Sequence, residues 1–282
     1  MKALFPSFIL IDFKNTVMRA WHAGQSGDQE DAKRSDGYPS GHVLRFFRMI
    51  HKLKKECGGG QLVFCMEGGE TRRYELLPTY KEGRSKPDFD PAPDVVKMIQ
   101  LMKCKVVTPV SAEADDAIAT FVATNKGGKH FIVSVDKDLW SLLGGKVRIL
   151  SAQNEITEAK VLKTFGVKPS GVALAKALVG DASDKIPKVP YLLWKDIASA
   201  METALTPEDL YNQIDKIPPK TATKLLEYKE QVEKMFEVVS LRKDCELLID
   251  ERPGNSEEMK AFLESFECAS LIPLISTLTE AM

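Results

Sequence analysis

Short apolar runs recur along the first 150 positions, and several give way at once to an acid. FILI stops at Asp12, QLVFCM at Glu67 and HFIVSV at Asp136, while KVVTPV and VRIL have the same branched, apolar character. Runs of this length without alternation predict strands covered on both faces. Helical patterns separate most of them. In SGHVLRFFRMIHKLKKE the apolar residues at 43, 44, 46, 47, 50 and 53 form one stripe, basic residues gather at the end, and three glycines at 58–60 stop the helix. Strand and helix in alternation predict an α/β fold: a mostly parallel central sheet, right-handed crossovers and helices on both faces. Such sheets bind ligands at the carboxyl ends of their strands. Past residue 155 the strand signal disappears, which divides the chain into an α/β core over 1–155 and a helical lobe over 156–282.

Two polar stretches, 22–40 and 78–93, break the pattern and are expected to be exposed and mobile. The second mixes prolines with Lys81, Arg84 and Lys86 beside the acid-bearing edge, as a flap over a polyanion would.

With 282 residues and 44% hydrophobic content, the chain can bury a sizeable core. Five cysteines without a C-x-x-C pair argue against a disulfide framework or a zinc ribbon, and for a reducing compartment. The opening MKALFPSFILIDF has a lysine and a short apolar run, but Asp12 and Lys14 interrupt it, and no later segment is long and apolar enough to span a membrane. A soluble, cytoplasmic protein is expected. The formal net charge of -1 speaks against nucleic acid only if charge is spread evenly. Gathering nine carboxylates around cations leaves the remainder at about +8, enough for a basic rim.

The acids do gather. SAEADDAIATFVA sets Glu113, Asp115 and Asp116 just before an apolar helical pattern, with Ser111 placed to cap it. One or two acids suit a helix N-terminus; three repel one another unless a cation sits among them. SVDKDLWSLL brings Asp136 and Asp138 to one side of an extended chain, and LVGDASDKIP holds Asp181 and Asp184 in a glycine-preceded turn. Oxygen donors without His or Cys select hard cations, and the number of carboxylates suggests two Mg²⁺ or Mn²⁺ ions. Such a pair can activate water and stabilise the leaving oxygen at a phosphodiester.

The segments ILIDFKNTVMRAWHA, RYELLPTYKEGR, SAEADDAIA, SVDKDLWSLL and LVGDASDKIPKVP resemble, in this order, motifs of the 5′-nuclease family: bacteriophage 5′-exonucleases, flap endonucleases and the 5′-nuclease domain of bacterial DNA polymerase. PPKTATKLLEYKEQVEKMFEVVSLRKDCEL is similar to the end of the bacterial domain. The resemblance implies a PIN-like core, an arch over 78–95, and a C-terminal helical lobe with a helix-hairpin-helix-like DNA-binding region that also supplies Asp181 and Asp184. It implies Asp12, Glu113 and Asp115 on one metal and Asp136, Asp138 and Asp181 on the other, with Asp116 and Asp184 in support. Lys81 and Arg84 would neutralise the scissile phosphate, and Arg19, Lys86, Lys185, Lys188 and Lys195 would contact DNA.

Two departures from the family stand out. Its aspartate at the end of the strand before the arch falls on Met66, so Glu67 must shift by one residue to act as a ligand. After KIPKVP the family continues with a G-x-G hairpin that holds DNA phosphates and often potassium; YLLWKDIASA lacks those glycines, which argues against the potassium site. The resemblance leads to a monomeric, two-metal, structure-selective 5′-nuclease acting on flaps, junctions and duplex ends of DNA. RNA·DNA hybrids are a further substrate class, and the missing polymerase domain leans towards a phage replication enzyme. A PIN-type or RNase H-like RNA nuclease and a non-catalytic DNA-junction binder are the alternatives.

Overall fold

The computed structural model describes residues 6–25, 31–70, 72–83, 88–151 and 154–280. Its apolar runs become β1 (Ser7–Asp12), β2 (Gln61–Cys65), β3 (Lys103–Pro109), β4 (Lys129–Val133) and β5 (Val147–Ser151), all parallel to their neighbours in this set. Two antiparallel strands, β6 (Asn154–Ile156) and β7 (Leu247–Pro253), close the edges, and the order across the sheet is β6-β5-β4-β1-β2-β3-β7. The connections reverse direction beside β1. In open α/β sheets that reversal leaves a crevice at the strands' carboxyl ends.

Why the strands are apolar without alternation is visible in β1. Successive side chains point to opposite faces: Phe8 and Leu10 enter one core, Ile9 and Ile11 the other, and all four are buried. The second face is covered by α1 (Phe13–Gln25), α2 (Gly41–Glu56) and α4 (Ala92–Gln100), with the short helix α3 (Arg72–Leu76) lying between β2 and α4 in the chain. The stripe of α2 supplies Val43, Phe46, Phe47 and Ile50, all fully buried, and the helix ends where the amides of Cys57, Gly58 and Gly59 cap its last carbonyls. The first face is covered by α5 (Ala114–Thr124) and by the helices that follow β6, including Val172–Val179, Trp194–Met201 and Lys229–Val239. Trp194 packs on this core.

Three expectations need correction. Strand structure does not end at 155: β7 returns the chain to the sheet beside β3, and the helices Ser256–Ser265 and Ile275–Thr279 bury Met259, Leu263 and Leu278 in the core shared with α2. The exposed residues Leu248 and Ile249 and the charged Asp250, Glu251 and Arg252 hid β7, because an edge strand need not be apolar. Nor does β4 extend to Asp136; it stops at Val133. Finally, residues 31–40 are pinned, with Arg45 donating two hydrogen bonds of 2.6 and 2.8 Å to Asp31 and Lys33 bridging Pro39. Among the described residues no helix is long and apolar enough to cross a membrane.

If the C-terminal helices are integral to the core, Leu263→Ala is expected to destabilise the protein by about 2–5 kcal/mol in urea unfolding. A change below about 0.5 kcal/mol would show that they are detachable.

Candidate active site at the sheet edge

At the carboxyl ends of β1 to β4 lies a cavity of about 650 Å³ lined by Asp12, Glu67, Glu70, Glu113, Asp115 and Asp136, with Lys14, Asn15 and Lys81 on its wall. Each acid arrives on a different local device. Asp12 is the last residue of β1; its Oδ1 accepts from the Asn15 amide at 3.2 Å and its Oδ2 from the Ser134 hydroxyl at 2.8 Å. The same hydroxyl accepts from the Asp136 amide at 3.0 Å, and Asp136 Oδ1 accepts from the Asp138 amide at 2.9 Å. This turn, rather than an extended strand, brings Asp136 and Asp138 together, and Asp138 then opens a 3₁₀ turn.

After β2 the two neighbouring residues part company. Met66 tucks against the apolar core, whereas Glu67 lines the cavity and accepts from the Ala114 amide at 3.2 Å. The loop can approach this closely because of Gly68, whose amide donates to Ala112 O at 2.9 Å; a Cβ there would stand 1.6 Å from Pro109 O. Glu113, not Ser111, is the N-cap of α5, and Ser111 precedes it in the left-handed region at φ 49°.

Glu113 also gathers the segment that follows α3. Tyr80 donates to its Oε2 at 3.1 Å and Lys81 to its Oε1 at 2.6 Å, and the Lys81 amide reaches Asp184 O at 3.4 Å. Lys81 adopts φ 56°, a strained value of the kind structures keep at functional positions. Asp181 and Asp184 sit in a turn closed by paired Asp181 and Ile186 amides, with Asp184 buried. Gly180, at φ 76°, lets the turn fold against Ile186 O, which a Cβ would approach to 2.7 Å.

Three participants escape sequence reasoning. Lys176, buried on the helix Val172–Val179, donates to Asp138 and lies 2.9 Å from Asp181 Oδ2. A lysine inside ALAKALV was the available signal. Arg73 and Glu70 form the second group: Arg73 donates to Glu70 Oε2 at 2.7 Å and to both oxygens of Asp116 at 2.5 and 2.8 Å. Asp116 therefore does not line the cavity. It is fully buried, and burial alone would raise its pKa, but Arg73 and the Arg242 amide hold it below the usual carboxylate range.

Arg19 lies near Asp12 but does not line the cavity. It sits beside Met49, whose sulfur accepts from Nη2 at 3.5 Å, in a separate small recess with Val133 and Leu150. Lys185, Lys188 and Lys195 are exposed on the helical side, while Arg84 and Lys86 lie outside the described residues.

The electrostatics match a cation site. Burial raises Asp12 to about 6, with Asp136 and Glu67 adding repulsion against the Ser134 and Asn15 hydrogen bonds. Burial raises Asp138 to about 6 despite Lys176, and it raises Asp115 well above the usual range, helped by Asp136 and Asp12. Burial also acts on Asp181, yet the Ser183 hydroxyl and Lys176 bring it down to about 2. Among the described residues no three of these side chains already converge as a finished coordination sphere; Glu113 is drawn to Lys81, and Asp138 and Asp181 to Lys176. The all-oxygen donor set and its mutual repulsion nevertheless fit hard divalent ions.

Comparison with known proteins follows the same lines. Residues 7–166 match the family described as 5'-3' exonuclease, N-terminal resolvase-like domain. Over 96% of its length the chain is 27% identical to the thermostable DNA polymerase I of Thermus aquaticus, of which it spans 34%. It is also 27% identical, over 84% of its length, to a 5'-3' exonuclease of Aquifex aeolicus, covering 86% of that protein. The chain thus spans about a third of the polymerase relatives it matches. The T5 D15 protein co-crystallized with metal ions superposes with a TM-score of 0.67 at 18% identity, covering 95% of this chain and 99% of that one. Flap endonuclease-1 from Methanococcus jannaschii gives 0.58 at 13% identity, covering 97% and 91%. The architecture is accordingly the α/β nuclease fold of these exonuclease and flap-endonuclease structures. The chain belongs to the 5'-3' exonuclease family.

Two outcomes follow from the geometry. Arg73→Met leaves Asp116 buried and unpaired and is expected to destabilise by about 3–5 kcal/mol in urea unfolding, with Arg73→Met/Asp116→Asn recovering part of the loss. A double variant no better than the single one would deny the pairing its role. The second outcome is pH-dependent. Asp12 binds its proton more tightly folded, near 6, than at its ordinary value of 3.8. Its contribution is therefore complete below pH 3.8 and is lost as pH rises through 6. In chelator, Asp12→Asn is expected to gain roughly 1–3 kcal/mol on the parent between pH 4.5 and 7; parallel stability curves would contradict the shift.

Proposed function

We propose that the chain is a divalent-metal-dependent hydrolase that cleaves phosphodiesters at 5′ ends and 5′ flaps of DNA. The observation that carries this reading is the convergence of six carboxylates from separated segments on one cavity at the switch of the sheet, with Lys81 among them. Asp12, Glu67, Glu113 and Asp115 would hold one ion; Asp136, Asp138 and Asp181 would hold the other, with Asp184 behind them. Magnesium or manganese bound there supplies charge neutralisation and a water acidic enough to attack at neutral pH.

The chain's own residues do the rest. Lys81 stands at the cavity wall with its ammonium already directed at an oxyanion, Glu113 Oε1, and offers the same charge to a scissile phosphate. Lys176 fixes the carboxylates of Asp138 and Asp181 relative to each other. Duplex DNA lies against the helical side, where Lys185, Lys188 and Lys195 are exposed near Tyr191, which is 92% exposed at φ 57°. Backbone contacts of this kind give salt-dependent binding without base readout. The solved exonuclease and flap-endonuclease structures that share this fold, one of them a complex with DNA and metal ions, support the choice of substrate.

The test is cleavage of a labelled 5′-flap duplex, a blunt duplex and an RNA·DNA hybrid, in Mg²⁺ and in chelator. The flap is expected to be cut only with Mg²⁺; Asp138→Asn is expected to abolish cutting while junction binding persists, and Lys81→Met to slow it by about 100-fold or more. Binding without cutting by the parent would leave a junction binder, and preference for the hybrid would leave an RNA nuclease.

A further inference from the structure

The opposite end of the sheet carries a second cavity, of about 540 Å³, where β2 and β3 begin and β7 ends. It lies a strand's length, ~15 Å, from the carboxylate edge. Its wall includes Lys54, Lys103 and Arg252, with Glu251 and Glu280 on the rim.

These charges cancel only in part, with Glu280 the one carboxylate left facing three cations of the lining. Glu251 is held by Lys105 at 2.5 Å, outside the cavity lining, and Arg252 engages Asp250. Lys54 and Lys103 have no carboxylate partner among the described residues. Lys54 is 4% exposed, in the last turn of α2, and that helix's terminal carbonyls are already taken by the amides of Cys57, Gly58 and Gly59. The stem of Lys54 is buried while its ammonium faces the cavity, so the charge is left for whatever the cavity holds. Burial, together with the neighbouring ammonium of Lys103, makes the charged form harder to keep.

We propose that this cavity is a binding site for a phosphomonoester dianion. Two unpaired ammonium groups and an adjacent guanidinium call for an anion carrying about two charges and several acceptors, which a phosphomonoester supplies and chloride or a single carboxylate does not. The volume admits a nucleoside 5′-monophosphate as well as inorganic phosphate, being within the range of small-ligand sites. The two sources share the group that the cations recognise. Nothing in this assignment depends on nuclease activity.

The experiment titrates the full chain, in chelator and at constant ionic strength, with inorganic phosphate, thymidine 5′-monophosphate and thymidine, following thermal stability and ³¹P line width. Both phosphates are expected to stabilise saturably and thymidine not to; the tighter of the two identifies the source. Lys54→Met and Lys103→Ser are each expected to weaken binding by about tenfold or more, the loss of one charge-assisted contact, and Lys81→Met to leave it unchanged. Should Lys54→Met fail to fold, the exposed Lys103 carries the test. Absence of a saturable response, or a response that Lys81→Met removes and Lys103→Ser does not, would overturn the proposal.

Discussion

Arg73 and Asp116 are both buried, and each meets most of the other's hydrogen-bonding needs. What remains of the guanidinium goes to Glu70 and to the carbonyls of Val238 and Ser240, and what remains of the carboxylate goes to the amides of Arg242 and Glu113. One ion pair therefore clamps α3, the start of α5 and the turn that leads into β7. A buried pair of this kind contributes little net stability against an apolar replacement, but breaking one side is expensive. Its value lies in position. With α3 tied to α5, Tyr80 and Lys81 fall within hydrogen-bond reach of Glu113, and the backbone of Lys81 reaches the Asp184 turn.

The other organising constraint is repulsion. Burial and the charges of neighbouring carboxylates raise the proton affinity of Asp12, Asp115 and Asp138, and the fold tolerates them because lysines stand in as counter-charges. Lys81 is carried on a turn after α3 and holds Glu113 from the cavity wall. Lys176 is in the middle of a helix and buried, so it holds Asp138 and Asp181 whatever else enters. The same charge type thus takes two roles, decided by the element that carries it.

Much of this was readable before any coordinates. Unalternating apolar runs marked the five parallel strands, because a sheet covered on both faces leaves no polar side to show, and acids at the ends of those runs marked the edge where they meet. What could not be read has physical reasons. The strand β7 is an exposed edge with charged residues in it, so its pattern is that of a surface loop. Asp116 shares its motif with Glu113 and Asp115, yet helical geometry turns it inward to a partner 43 residues earlier in the chain, Arg73. Lys176 lay in an apolar helix whose proximity to Asp138 depends on tertiary packing alone. Glu67 required knowing that Met66 fills the core and that Gly68 allows a backbone contact no side chain could survive.

The placement of β7 has one more consequence. The helices between β6 and β7 leave the sheet at one outer strand and rejoin it at the strand on the far side, so that region spans the sheet's width like a bucket handle fixed at both ends. A module hung from a single linker could swing away from the acid-bearing edge. This one is fastened at both ends, which keeps Asp181 and Asp184 in register with the acids of the sheet.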